Sequence, residues 1–158
     1  MAVQVAVCGP GECSEREAED AVRIGRLLAE RGATVVCGGG AGVMAAVAAG
    51  ARSGGGVAVG VRADDDRDGA PSDLTATLTT NLGQARNAVI VWSADAVIAV
   101  GGSWGTLSEI ALALRRGGVP VVSLGGWGVT DADGRPVPGI LDAGTPEEAV
   151  DLALAGIT

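Results

Sequence analysis

Short apolar runs alternate along the chain with stretches whose apolar residues recur at helical spacing. Val3-Gln4-Val5-Ala6-Val7, Ala33-Thr34-Val35-Val36-Cys37, Val57-Ala58-Val59-Gly60-Val61, Ala96-Val97-Ile98-Ala99-Val100 and Val119-Pro120-Val121-Val122-Ser123-Leu124 read as strands. Thr75-Ala76-Thr77-Leu78-Thr79 reads as a short edge strand. Between the runs, Ala18, Ala21, Val22, Gly25, Leu28 and Ala29 fall on one helical face, as do Val43, Met44, Val47, Ala48 and Ala51. A helix over roughly 84–93 carries Ala85, Ala88, Val89 and Trp92. Another, beginning near Thr106 or Leu107, carries Leu107, Ile110, Ala111 and Leu114.

Boundary chemistry agrees with this division. Ser14 followed by Glu17 is a capping-box pattern, and Gly32 and Gly117 stand where helices stop. Thr145-Pro146-Glu147-Glu148 combines an N-cap, a proline in the first turn and a glutamate at the third position, which opens a last helix. Residues 62–74, with the acidic run Asp64-Asp65-Asp66-Arg67-Asp68, read as an exposed loop. Residues 125–144 read as a Gly/Pro/Asp-rich segment able to act as a flap. Strands alternating with helices predict an α/β fold of one domain over residues 1–158. The sheet is mostly parallel with helices on both faces, and ligands bind at the carboxyl ends of the strands.

Three glycine loops, 9–11, 38–42 and 101–105, each follow a strand and should meet at that edge. A strand that stops at glycines against a helix start makes an anion site. The first-turn N–H groups lack intrahelical partners, and glycine lets a ligand approach the backbone. None of the loops has the Walker pattern, because no Gly-Lys-Ser/Thr follows. Arg86 and Asn87 stand near the start of a helix, where a positive charge gains nothing from the dipole.

Composition sharpens the picture. With 158 residues the chain suits one well-buried domain, and with 27 Gly, three Trp and no Phe or Tyr its core must be built from Val, Leu, Ile and Ala. A net charge of −8 argues against DNA or RNA as a partner. It leaves room for a small phosphorylated ligand held by backbone amides and one arginine. No signal peptide and no stretch of membrane-spanning length is expected, so the reading is a cytoplasmic protein with no membrane partner. Cys8, Cys13 and Cys37 are odd in number and fit free thiols in a reducing compartment. With no histidine, a zinc site would need all three thiols and a carboxylate, so no metal centre is expected.

Cys37-Gly38-Gly39-Gly40-Ala41-Gly42-Val43-Met44, Gln84-Ala85-Arg86-Asn87 and Gly101-Gly102-Ser103-Trp104-Gly105-Thr106-Leu107-Ser108-Glu109, in this order and spacing, resemble the LOG (LONELY GUY) and lysine decarboxylase-like superfamily. They look most like its short bacterial branch, which includes molybdenum cofactor carrier proteins. The resemblance implies a Rossmann-like three-layer sandwich, a homo-oligomer (dimer or tetramer) and a small phosphorylated nucleotide-like ligand. The main expectation for this chain is accordingly an enzyme, a LOG-like nucleoside 5′-monophosphate phosphoribohydrolase that cleaves the N-glycosidic bond to free base and ribose 5-phosphate without a cofactor. Arg86 and Glu109 match that family's catalytic pair. Gly9, Gly39, Gly40, Gly42, Met44, Asn87, Gly101, Gly102, Ser103, Gly105 and Thr106 are then the ligand- and phosphate-binding candidates. The alternative is a non-catalytic carrier that holds molybdenum cofactor, a pterin nucleotide, as its ligand. Two departures from the LOG pattern, Val100 in place of Pro and Asn87 in place of Lys, fit the carrier branch.

Each singled-out residue also has a plainer role. Thr106 and Glu109 have capping-box spacing, so Glu109 either bonds back to the Thr106 N–H or turns into the cleft. There it can stabilise charge developing on a sugar, as carboxylates do in glycoside hydrolysis. Met44 fits the core as well as a ligand contact. Trp104 fits a base stack or an interface, and Trp127 a lid or a surface anchor.

Overall fold

The apolar runs become a seven-stranded, wholly parallel sheet in a computed structural model of the protein, which describes residues 1–157. The strands are β1 (Gln4–Cys8), β2 (Thr34–Cys37), β3 (Val57–Arg62), β4 (Ala76–Thr79), β5 (Ala96–Val100), β6 (Val121–Leu124) and β7 (Ile140–Ala143). The helices are α1 (Glu15–Glu30), α2 (Val43–Ser53), α3 (Arg86–Trp92), α4 (Trp104–Arg116) and α5 (Pro146–Leu154). The sheet order is β4-β3-β2-β1-β5-β6-β7. Order therefore reverses between β1 and β5, and the crevice above their carboxyl ends is where such sheets take ligands.

Alternation along each strand assigns the two faces. Val5, Val7, Val35 and Cys37 pack with α1, α2 and α5 on one side, among Ile24, Leu28, Val47 and Val150. Ala6, Cys8, Val36, Val97 and Ala99 face α3 and α4, among Ile90, Val91, Ile110 and Ala113. The three-layer sandwich with helices on both faces is thus present. Cys8 belongs to the cluster on the α3 and α4 face and Cys37 to that on the opposite face.

The boundary signals act as their chemistry requires. Ser14 and Glu17 form the full capping box, and Gly32 and Gly117 adopt φ of 72° and 70° just past their helices. Thr145 caps α5 through the Glu148 N–H at 3.1 Å. Besides moves of one or two residues at the bounds of β2, β3, β4 and β6, four expectations shift. The first strand runs one residue later, to Cys8. The helix expected over 84–93 is a 3-10 turn at Gly83–Ala85 followed by a shorter α3. Within residues 125–144 lies β7, pairing Val121–Leu124 in parallel as an edge strand. That strand, Ile-Leu-Asp-Ala, is half exposed, which hid its apolar period. The fourth shift is the start of α4, at Trp104.

Helices α1 and α2 cross closely because two glycines meet backbone. A Cβ on Gly25 would lie 2.8 Å from the Ala51 nitrogen, and one on Gly50 would lie 2.9 Å from Val22 Cα. Backbone cannot yield as a side-chain tip can, so Gly50→Ala should destabilise the protein by more than about 2 kcal/mol. Urea unfolding of the variant checks this, and a midpoint equal to that of the wild type would refute the packing.

Candidate functional site

Gly9 follows β1 and brings it against its neighbours, since a Cβ there would overlap the Val43 side chain and lie 2.7 Å from the Val100 carbonyl oxygen. Val43 is the first residue of α2, and its N–H donates to the Pro10 carbonyl at 3.1 Å. Gly42 is the N-cap of α2, with φ of 62° and no side chain to cap the turn. The N–H groups of Met44 and Ala45 therefore lack both an intrahelical acceptor and a capping side chain.

The second helix start is α4. Ser103 is its N-cap, and Ser103 Oγ accepts from the Thr106 N–H at 3.2 Å and lies 2.9 Å from Thr106 Oγ1. This decides the capping question left open by the sequence. The helix begins at Trp104, so Thr106 is the third helical residue and Glu109 stands a turn further in. A serine three residues before a threonine at a strand–helix junction was the signal for this cap. Trp104 and Gly105, the first two helical residues, present N–H groups for which the helix offers no acceptor.

Arg86, at the start of α3, reaches across the carboxyl ends of the central strands. Its Nε donates to the Val61 carbonyl at 2.9 Å, its Nη2 to the Gly38 carbonyl at 3.3 Å, and its Nη1 to Asn87 Oδ1. Carbonyls at strand ends thus explain a cation where the helix dipole disfavours one. Asn87 is buried and passes the link on. Its Nδ2 donates to Ser108 Oγ at 2.8 Å, and Ser108 Oγ donates to the Gly105 carbonyl at 2.8 Å. The chain Arg86–Asn87–Ser108 therefore fixes the first turn of α4 relative to β2 and β3.

Glu109 projects from α4 toward the sheet and is only 7% exposed. It lies beside the Cys8 thiol, and its pKa is raised from 4.5 to about 7. Burial is the main cause, partly offset by the Cys8 thiol and by the charge of Arg86. Cys8 is pushed well above the usual thiol range, first by burial and then by the Glu109 carboxyl. Cys37 is raised to about 11, chiefly by burial. Both thiols are protonated at neutral pH. No ion pair within 4.0 Å joins Arg86 to Glu109 among the described residues, so Arg86 acts on Glu109 through its field alone.

These groups enclose a cleft of about 160 Å³, lined by Gly9, Gly11, Met44, Gln84, Arg86, Ser103, Gly105, Thr106 and Glu109. The expected residues Gly9, Met44, Arg86, Ser103, Gly105, Thr106 and Glu109 are thus brought together. The others stand behind them. Gly39, at φ 67°, packs against Arg62 and Gly60, and Gly40 against Met44. Gly42 turns the chain under the 10–11 loop. Gly101 lies against the Glu17 carboxylate and Gly102 under the Trp127 ring, with only about 10 Å³ of space there. Asn87 belongs to the positioning chain rather than to the cleft wall.

The cleft adds residues not singled out from sequence. Gly11 and Gln84 line it, and Cys8 lies beside Glu109; strand alternation puts Cys8 on the α4 face. Arg62, also buried, donates to the Gly39 carbonyl at 2.8 Å and pairs with Asp64 at 2.7 Å, while binding the carbonyls of Asp66 and Asp68. Part of the acidic run is therefore wrapped around an arginine that also steadies the Gly39 loop.

Residues 2–150 match the family model described as the SLOG cluster4 family. A protein of Archaeoglobus fulgidus is 40% identical over 156 residues, covering 97% of this chain and 95% of that one. The molybdenum cofactor binding protein of Rippkaea orientalis superposes with a TM-score of 0.89 at 30% identity, over 100% of this chain and 99% of that one. The molybdenum cofactor carrier protein of Chlamydomonas reinhardtii gives 0.79 at 28%, over 95% and 94%. No helix among the described residues is long and apolar enough to cross a membrane.

Proposed function

The chain belongs to the SLOG cluster4 family, and we propose that it binds a phosphorylated, nucleotide-like pterin such as molybdenum cofactor and carries it without turnover. The observation that carries this reading is the pair of helix starts, α2 and α4, which meet over the β1/β5 switch with unpaired N–H groups at a glycine-lined cleft. A phosphate there needs no lysine. Arg86 adds positive potential from one side, and the open mouth leaves the rest of the ligand outside. The likeness to proteins described as binding or carrying molybdenum cofactor supports the pterin as ligand.

A second reading, a phosphoribohydrolase acting on nucleoside 5′-monophosphates, keeps one specific observation in its favour. Glu109 lines the cleft with a pKa of about 7, which suits a general acid. Against it, the Arg86 guanidinium is committed to carbonyls and Asn87, and the carboxyl is only about half ionised at pH 7 and largely neutral below about pH 6. A neutral acid does not stabilise a cationic sugar. Calorimetric titration with a phosphorylated pterin, run beside a panel of nucleoside 5′-monophosphates assayed for free base, separates the two. The carrier reading expects one-to-one binding and intact nucleotides. Release of base and ribose 5-phosphate that Glu109→Gln abolishes would overturn it.

A further inference from the structure

Next to the phosphate-sized cleft, beside Trp104, lies a second basin of about 320 Å³, lined by Gln84, Trp104, Gly105 and Ser108. Gln84 and Gly105 line both, so the two spaces adjoin. Trp104 is the first residue of α4 and its side chain is 79% exposed. Its one aromatic neighbour is Trp127, set edge-to-face at 85° with ring centroids 5.1 Å apart. An indole exposed to that degree keeps a ring face open, and the Trp127 contact braces its orientation. The other walls of the basin are polar: the Gln84 side-chain amide offers a donor and an acceptor, and Ser108 keeps acceptor capacity. Gly105 has no side chain to separate the two compartments.

We propose that this basin is the subsite for the planar heterocycle of the ligand. The ring stacks on Trp104, and its amide edge meets Gln84. The proposal rests on reading the cleft as the phosphate site, and it adds the class of ring. That ring is a flat, amide-bearing heteroaromatic of the kind guanine and pterin share in their 2-amino-4-oxopyrimidine half. Stacking of a base on an aromatic side chain strengthens binding by about one order of magnitude or more, whichever base is presented. The basin thus sets affinity for ring-bearing phosphates over bare sugar phosphates.

The test compares GMP with ribose 5-phosphate, binding to wild type, Trp104→Ala and Trp104→Phe by calorimetry. The backbone N–H groups of the helix start are the same in all three. Trp104→Ala should weaken GMP about tenfold or more and leave ribose 5-phosphate unchanged, and Trp104→Phe should restore most of the loss. GMP should quench part of the wild-type tryptophan fluorescence. That part should be absent from Trp104→Ala, which retains Trp92 and Trp127. Equal affinity of Trp104→Ala and wild type for GMP, with ribose 5-phosphate bound, overturns the ring subsite while sparing the phosphate cleft. Dissociation of an oligomer by Trp104→Ala, with both affinities unmoved, overturns it in favour of an interface between copies. Failure of the wild type to bind either compound removes the phosphate reading, and the subsite falls with it.

Discussion

Gly105→Asp is expected to fold as the wild type does and to lose phosphate-bearing ligands by on the order of 100-fold or more. The position separates structure from binding. A Cβ on Gly105 meets only Ser103 Oγ, at 3.8 Å, so an added side chain has room. At the second position of a helix, aspartate is favourable for the dipole and costs no buried hydrogen bond. Its carboxylate, however, would occupy the spot where the first-turn N–H groups of α4 point, and would repel a phosphate already facing Glu109. Calorimetry with GMP and thermal melting on the same sample check both halves. Wild-type affinity in a stable variant would mean that the phosphate does not sit at α4.

Glu109→Gln should change the pH dependence of stability by roughly 3 kcal/mol, following from a carboxyl shifted from 4.5 to about 7. Below pH 4.5 the group is neutral in the folded and unfolded chain and contributes no difference. Between pH 4.5 and 7 the unfolded chain releases the proton while the folded protein keeps it, so wild-type stability falls as pH rises. Above pH 7 the full penalty of a buried carboxylate applies. Glutamine has nearly the shape of the neutral acid and does not titrate. The variant should therefore match the wild type near pH 4.5 and exceed it by roughly 3 kcal/mol at pH 8. Urea titrations at the two pH values decide it, because parallel behaviour would mean that Glu109 is not held in a buried, proton-retaining place. A phosphate bound beside Glu109 disfavours its charged form in the same direction. Ligand affinity should accordingly lose part of its value as pH rises through 7 in the wild type and not in the variant.

Much of the fold could be read before any coordinates, because fully buried parallel strands are continuous apolar runs and their helices carry explicit caps. Ala96–Val100 and its glycine turn are of this kind. What escaped was structure whose signal is weak or shared. Half-exposed β7 lacks a clean period, and α4, expected to begin near Thr106 or Leu107, starts at Trp104 because Ser103, nearer the strand, caps it. In the cleft, the glycine loops and the Arg86 and Glu109 positions were visible as motifs. The division of labour among them was not. Arg86 is bonded to carbonyls from strands far away in sequence, and Cys8 faces Glu109 only through the pleat of β1 and the packing of α4. Gln84 stood within a motif but had no partner in sequence to mark it as a wall. Five of the expected binding residues, Gly39, Gly40, Gly42, Gly101 and Gly102, shape the loops instead of lining the cleft, since close approach of backbone and a ligand contact both call for glycine; Asn87, in α3, links Arg86 to α4 instead.

Binding of a phosphorylated pterin at the two helix starts is tested most directly by titrating the 15N-labelled protein with that ligand and following its backbone amides. The Trp104, Gly105 and Met44 amides should shift together and saturate at one equivalent, with the ligand recovered intact. Shifts confined to other surfaces, or a ligand recovered in pieces, would contradict carriage at this site.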